Sequence, residues 1–168
     1  MKRNLISSVR LLALALLASV AGACNSAGDA QPYEPHRIYD ASADARAEIH
    51  NALLQARRQH KRVILDFGGN WCSDCEILDY YFHQPPNSVL LARNFILVDI
   101  DVGEYDHNLD LAQQYGIPLK LGVPALAVLG SGGQLLYSQR NGEFERMGQM
   151  DPSSVTDFLN RWKAPVRG

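Results

Sequence analysis

Two cysteines separated by two residues, Cys72 and Cys75, are the side chains of this sequence best suited to covalent chemistry. They follow an apolar run, 62–67, that suits a buried strand, and they precede 76–83, which is typical of a helix. The unpaired amides at the start of a helix stabilise an anion, so this position favours a thiolate at Cys72. Cys75 lies one helical turn later and can reach Cys72 to form a disulfide. The spacing therefore predicts thiol–disulfide exchange.

Other residues around the cysteine pair extend this pattern over much of the chain. Trp71 immediately precedes Cys72, Asp66 lies six residues before it, and Val123-Pro124 opens an apolar run through residue 129. In these features residues 45–162 resemble thioredoxin, and in particular the exported thioredoxin-like proteins of bacteria. In that family a cis-proline faces the disulfide, and Pro124 matches it.

The resemblance implies separate roles for the two sulfurs. Cys72 attacks a substrate disulfide, and Cys75 then attacks Cys72 to resolve the mixed disulfide. Cys75 must first lose its proton in a poorly solvated region, where a buried carboxylate with a raised pKa serves as acceptor. We expect Asp66 to be that carboxylate. The alternative is a solvated, inert Asp66 at a strand edge.

The dipeptide between the cysteines, Ser73-Asp74, is expected to tune the redox pair. The charge of Asp74 should raise the thiol pKa of Cys72 and make the pair more reducing, although an acid in the first turn is also ordinary dipole compensation. Ser73 either hydrogen-bonds the thiolate or only begins the helix. Oxidants of the family usually carry His here, so the sequence favours a reductase.

A second set of residues is expected to bind substrate. By the resemblance, a substrate chain lies extended beside Trp71 and Val123 and forms backbone hydrogen bonds, while Pro124, which lacks an N–H, keeps metal ions from the sulfurs. The alternative is a trans Pro124 at the start of a strand.

Two features depart from the family. Leu97 stands where the family has a Lys paired with the buried acid, and extra residues occur at 118–122 and 143–149.

The N-terminus predicts export. Basic residues precede the apolar run 11–20, which is too short to cross a bilayer comfortably, and small residues follow it. We expect residues 1–23 to be a signal peptide, 24–39 a flexible tether and 40–168 a thioredoxin-like domain. Cys24 becomes either a lipid anchor or a free thiol in the tether. The predicted location is the periplasm, where disulfides persist.

The elements that must position the cysteines are predicted from periodicity and turn residues. The expected fold is α/β, a three-layer thioredoxin-like arrangement with a central mixed sheet and helices on both faces. The expected elements are a helix at 45–56, a strand at 62–67, helices at 76–83 and 89–93, a strand at 95–100, a helix ending at 115, strands at 124–129 and 134–138, and a helix from 152. Asn87-Ser88 is the expected cap of the second of the paired helices.

Composition limits the other function classes. The formal net charge is −2 in 168 residues, without the basic excess expected for nucleic-acid binding. The sequence predicts a monomer that needs no cofactor beyond the Cys72–Cys75 disulfide, acts on protein disulfides and dithiols, and is recharged by a membrane electron donor. Two alternatives stay open: a copper-binding or copper-delivery protein with His83 as a third ligand, and a non-catalytic binding module.

Overall fold

Residues 37–165 are described in a computed structural model, and they form four strands and five α-helices. In chain order these are α1 (Ala45–Gln59), β1 (Arg62–Gly68), α2 (Ser73–His83), α3 (Asn87–Asn94), β2 (Phe95–Asp101), α4 (Leu109–Gln114), β3 (Ala125–Leu129), β4 (Leu135–Ser138) and α5 (Ser153–Trp162). Short 3-10 helices occupy Leu119–Leu121 and Met147–Gln149. The order is the one that the sequence predicts. Within 37–165, no helix has both the length and the apolar character that a bilayer span requires.

The sheet has the strand order β2-β1-β3-β4. β1 is parallel to β2 and antiparallel to β3, and β3 is antiparallel to β4. All residues of β1 except the first are buried, as expected of a central strand covered on both faces. The predicted mixed sheet with helices on both faces is therefore confirmed.

Two apolar cores lie on opposite faces of this sheet, because side chains along a strand alternate between its faces. One core contains α1 and α4 residues with Val63, Leu65 and Phe67 of β1, together with both cysteines. The other contains α2 and α5 residues with Ile64 of β1. The cysteines thus join the core of the α1 face through the start of α2.

The starts of α2 and α3 differ from the sequence prediction by more than one residue. α2 begins at Ser73 rather than at residue 76, because the backbone of Cys72 is extended and its Sγ caps the helix. The expected cap at Asn87 is wrong. Asn87 is the first residue of α3, and its buried side chain instead donates to the carbonyl of Tyr81 at 2.9 Å and accepts from Thr156 Oγ1 at 2.7 Å.

The N-terminal edge of the folded part lies earlier than expected. Tyr39 falls in the predicted tether, yet its side chain is fully buried in the core of the α1 face. The backbone amides of Ile38 and Tyr39 both donate to Asn70 Oδ1, so this segment is fixed to the loop before the cysteines. The predicted signal peptide, the tether up to residue 36 and Cys24 lie outside the described residues.

The proline bond before β3 is cis, as the resemblance implies. Val123-Pro124 and Pro85-Pro86 are the cis peptide bonds among residues 37–165. The alternative of a trans Pro124 is wrong.

Candidate active site

Cys72 and Cys75 form a disulfide at the start of α2, with their Cα atoms 5.2 Å apart. Cys75 is completely buried, whereas Cys72 keeps 6% of its surface exposed. Cys72 Sγ lies 3.4 Å from the carbonyl oxygen of Val123, beside the cis-proline. A sulfur of another protein can therefore reach only Cys72.

The surroundings of Cys72 Sγ suit a negative charge after reduction. The backbone amide of Cys75 donates to Cys72 Sγ at 3.1 Å, and α2 extends for 11 residues behind it. Both the hydrogen bond and the helix dipole stabilise a thiolate over a thiol. Ser73 is exposed at the first helical position. The hydrogen bond to Cys72 Sγ comes from the Cys75 amide and not from the Ser73 hydroxyl.

Asp66 is buried in the central strand, with 1% of its surface exposed. The alternative of a solvated Asp66 at a strand edge is wrong, because β1 lies between β2 and β3. Burial raises the pKa of Asp66 well above its usual value, and the nearby charge of Asp99 raises it further. A hydrogen bond from Tyr39 acts in the opposite direction. A carboxyl with a raised pKa takes up a proton more readily near neutral pH.

Tyr39 reaches this carboxyl because Gly68 has no side chain. Tyr39 Oη donates to Asp66 Oδ2 at 3.0 Å, and a Cβ atom on Gly68 would overlap the phenol group. Asn70 fixes the position of Tyr39, since its Oδ1 accepts from the Tyr39 amide at 3.1 Å and its Nδ2 donates to the Tyr39 carbonyl at 2.6 Å. The loop that carries the cysteines therefore also holds the phenol against Asp66.

Two more carboxyls lie near Asp66. Asp99 of β2 is its register partner in the neighbouring parallel strand, and Asp79 of α2 is buried. Burial and the charge of Asp79 raise the pKa of Asp99 to about 7, while His83 acts to lower it. The acid that the sequence predicts is thus one of a cluster.

An apolar groove lies next to Trp71, the residue before Cys72. Trp71, 47% exposed, donates from Nε1 to the carbonyl of Gly103 at 2.7 Å, and its ring lies 5.3 Å from that of Tyr105. Tyr105, Leu109 and the segment 119–122 line a groove of about 460 Å³ that continues from this pair of rings. The extra residues before Pro124 therefore form one wall of the groove.

The extra segment 143–149, which also departs from the family pattern, contacts Asp74. The amide of Gly148, in the 3-10 helix before α5, donates to Asp74 Oδ1 at 2.8 Å. Asp74 is thus half-buried between the two cysteines and this extra segment. Its carboxylate holds the segment in addition to any electrostatic effect on the sulfurs.

His83, which the sequence offers as a third copper ligand, interacts with a residue of its own helix. His83 Nδ1 lies 2.8 Å from the carbonyl oxygen of Asp79 and 3.2 Å from its Oδ1. Residues 37–165 contain no group of three or more His, Cys, Asp or Glu side chains arranged to hold a metal ion.

The sequence model of the thioredoxin-like family matches residues 44–131, about half of the chain. The chain belongs to the thioredoxin-like family. The Cys72–Cys75 disulfide at the start of α2 lies within the matched residues.

Relatives within the thioredoxin-like family carry related names. A solved structure of a disulphide isomerase from Xylella fastidiosa Temecula1 is 39% identical, with a TM-score of 0.71 over 75% of this chain and 96% of that one. The thiol:disulfide interchange protein DsbD of Pseudomonas fluorescens is 29% identical over 117 residues, which are 69% of this chain and 18% of the relative. DsbD 2 of Pseudomonas aeruginosa is 26% identical over 156 residues, 83% of this chain and 25% of the relative. The chain thus spans a quarter or less of these curated relatives.

Four residues of the site are absent from the sequence prediction: Tyr39, Asn70, Asp79 and Asp99. The sequence contains a signal for Asp99, a carboxyl inside the apolar run 95–100 that pairs with the strand of Asp66. Tyr39 gives no comparable signal, because it follows a stretch with the composition of a tether.

Proposed function

We propose that this chain is a protein-disulfide reductase of the bacterial cell envelope. The observation that carries the proposal is the position of Cys72 Sγ, which is partly exposed and accepts a hydrogen bond from the Cys75 amide at the start of α2, while Cys75 is buried. Cys72, Cys75 and Asp66 are the catalytic residues of this proposal. The proposed direction of the reaction is reduction of the substrate disulfide. This direction rests on the charge of Asp74 and on the absence of His between the cysteines.

The reaction starts from the dithiol form. The Cys72 thiolate attacks one sulfur of a substrate disulfide, that S–S bond breaks, and the departing substrate thiolate takes a proton from water. Asp66 accepts the proton of Cys75, whose thiolate then attacks Cys72 Sγ. The second substrate thiolate leaves, and two electrons have passed to the substrate while the Cys72–Cys75 disulfide forms.

Substrate binding is assigned to the face around the disulfide. A polypeptide in extended form lies beside Trp71, Val123 and Pro124, and its apolar side chains enter the groove next to Tyr105. The backbone amide of Val123 has no acceptor among the described residues, so it is available to a substrate carbonyl. Ser73 and Asp74 adjust the stability of the thiolate.

The location and the partners belong to the same proposal. Residues 1–23 direct export, Cys24 either carries a lipid or is a free thiol, and residue 40 onward acts in the periplasm as a monomer. A membrane partner supplies electrons to the oxidised form. Mass spectrometry of the chain isolated from its host, after cell fractionation, distinguishes a lipid-bearing Cys24 from an unmodified one.

Insulin reduction tests the central proposal. The full chain, kept reduced by excess dithiothreitol, should reduce insulin in a catalytic manner, and Cys72→Ser should abolish turnover. Cys75→Ser should trap a mixed disulfide with the substrate. An active Cys72→Ser variant, or a wild-type disulfide that does not cycle in a redox titration, would rule the reductase out.

Isomerisation is a second candidate, favoured by the name of the Xylella fastidiosa relative. An isomerase attacks a wrong disulfide and is released when a substrate thiol, rather than Cys75, resolves the mixed disulfide. Refolding of scrambled ribonuclease separates the two activities. An isomerase retains activity in Cys75→Ser, whereas a reductase does not.

A further inference from the structure

Asp66 and Asp99 face each other as partners in neighbouring parallel strands. Side chains at paired positions point to the same face of a sheet. Oδ1 of each residue is buried and has no hydrogen-bond partner in the described part of the chain, whereas Oδ2 of Asp66 accepts from Tyr39. A buried carboxylate oxygen without a donor is unfavourable, so each of these two Oδ1 atoms favours a protonated carboxyl.

The neighbouring carboxyl charges also favour a protonated pair. Asp79 of α2 raises the pKa of both members, and Glu48 of α1 raises that of Asp99. His83 of α2 opposes this at Asp99, and the Tyr39 hydroxyl opposes it at Asp66. Two carboxyls that share a site do not readily ionise together, because each charge disfavours the other.

The two members differ in their access to water. Asp66 is buried in the central strand, whereas Asp99 belongs to the edge strand β2 and is only half-buried. A proton that enters the pair at Asp66 can therefore leave at Asp99.

We propose that Asp99 is a positioning residue for the thiol chemistry: it shares one proton with Asp66 and returns protons from Asp66 to water. The pair rests with one proton and one negative charge. It takes a second proton when Cys75 ionises, and it releases that proton through Asp99 once the Cys72–Cys75 bond has formed. This inference rests on the proposed function for the source of the second proton.

Titration of the carboxyl carbons by nuclear magnetic resonance tests the shared proton without any turnover. In the oxidised full chain we expect two separated steps, of which one lies well above the usual range for aspartate. Asp99→Asn should move the Asp66 step down by about one pH unit or more, since a neighbouring like charge is removed. Asp99→Ser is the second uncharged replacement, and Asp99→Glu should keep the raised step.

Asp101→Asn is the matched control. It removes a buried carboxyl from the same strand, but its register partner is Gly68 and not an acid. The proposal is overturned if the Asp66 step stays in place in both uncharged Asp99 variants, or if Asp101→Asn lowers it equally. Because these spectra need no substrate, they decide the carboxyl pair even if the chain proves not to reduce insulin.

The pH profile of insulin reduction tests whether the pair acts through Asp66. The acid limb of the profile is the loss of kcat/KM as the pH falls. Asp99→Asn should shift this limb to lower pH by the same amount as it shifts the titration of Asp66. In an Asp66→Asn background the same change should leave the limb where it is, because the partner is gone. An equal shift in both backgrounds would show that Asp99 acts on the cysteines directly and would contradict the proposal.

Discussion

The hydroxyl of Tyr39 donates a 3.0 Å hydrogen bond to Oδ2 of Asp66 across 27 positions of sequence. Tyr39 also packs in the core that contains Cys72 and Cys75. The bond favours the ionised carboxyl and so opposes the rise in the Asp66 pKa that burial causes. One phenol thus links the N-terminal edge of the domain to the proposed proton acceptor.

Replacing Tyr39 by Phe should raise the pKa of Asp66. A hydrogen bond to a charged group contributes about 1.5 kcal/mol, and one pH unit corresponds to about 1.4 kcal/mol, so we expect the acid limb of kcat/KM for insulin to move up by about one unit. The base form of Asp66 then appears only at higher pH. Tyr137→Phe, which removes another half-buried phenol, is the control and should leave the limb unchanged. A limb that moves down in Tyr39→Phe would contradict the assignment of Asp66.

Replacing Gly68 by Ala should displace the Tyr39 phenol. The new Cβ overlaps the ring, and overpacking of this kind destabilises a protein by about 1–3 kcal/mol. Urea denaturation of the oxidised chain measures the loss. In a Tyr39→Leu background the added methyl meets no phenol, so the same change should have a much smaller effect. Equal losses in both backgrounds would show that the strain lies elsewhere.

Replacing Leu121 by Ser should weaken substrate binding in the apolar groove. Leu121 is 43% exposed beside Tyr105, and the loss of one apolar contact of about 1 kcal/mol raises KM roughly fivefold. We expect kcat to stay constant, because the sulfurs are untouched. Leu135→Ser is the matched control, since Leu135 is 41% exposed and does not line this groove. An unchanged KM for Leu121→Ser, measured with insulin and with a short disulfide peptide, would remove the groove from the proposal.

Replacing Asp74 by Asn should make the cysteine pair less reducing. The carboxylate near Cys72 disfavours the thiolate, so its removal stabilises the reduced form and raises the reduction potential, by about 10–30 mV where 30 mV corresponds to about 1.4 kcal/mol. Asn keeps an oxygen that accepts from the Gly148 amide, which preserves the contact with the extra segment. Equilibration with glutathione buffers gives the potential.

Two comparisons separate charge from structure at Asp74. Asp74→Ala removes both the charge and the acceptor for Gly148, so a larger effect there measures the contribution of the segment. Asp157→Asn changes an acid on α5 and should leave the potential constant. If Asp74→Asn lowers the potential or leaves it unchanged, Asp74 does not tune the pair.

The sequence determined the order of the elements and the position of the cysteine pair. Local signals are sufficient for these, because apolar periodicity, turn residues and helix starts depend on neighbours along the chain. Asp66 and Trp71 were found in the stretch that carries the cysteines, and Pro124 was found at the start of a later apolar run.

Only the tertiary structure decided what surrounds Asp66. Tyr39, Asn70 and Asp99 meet there through strand register and through a segment that returns from the N-terminal edge. Register is set by pairing across the whole sheet, and a shift of one residue would turn Asp99 to the opposite face. A carboxyl in an apolar strand is visible in the sequence, but the partner that shares its site is fixed by long-range packing.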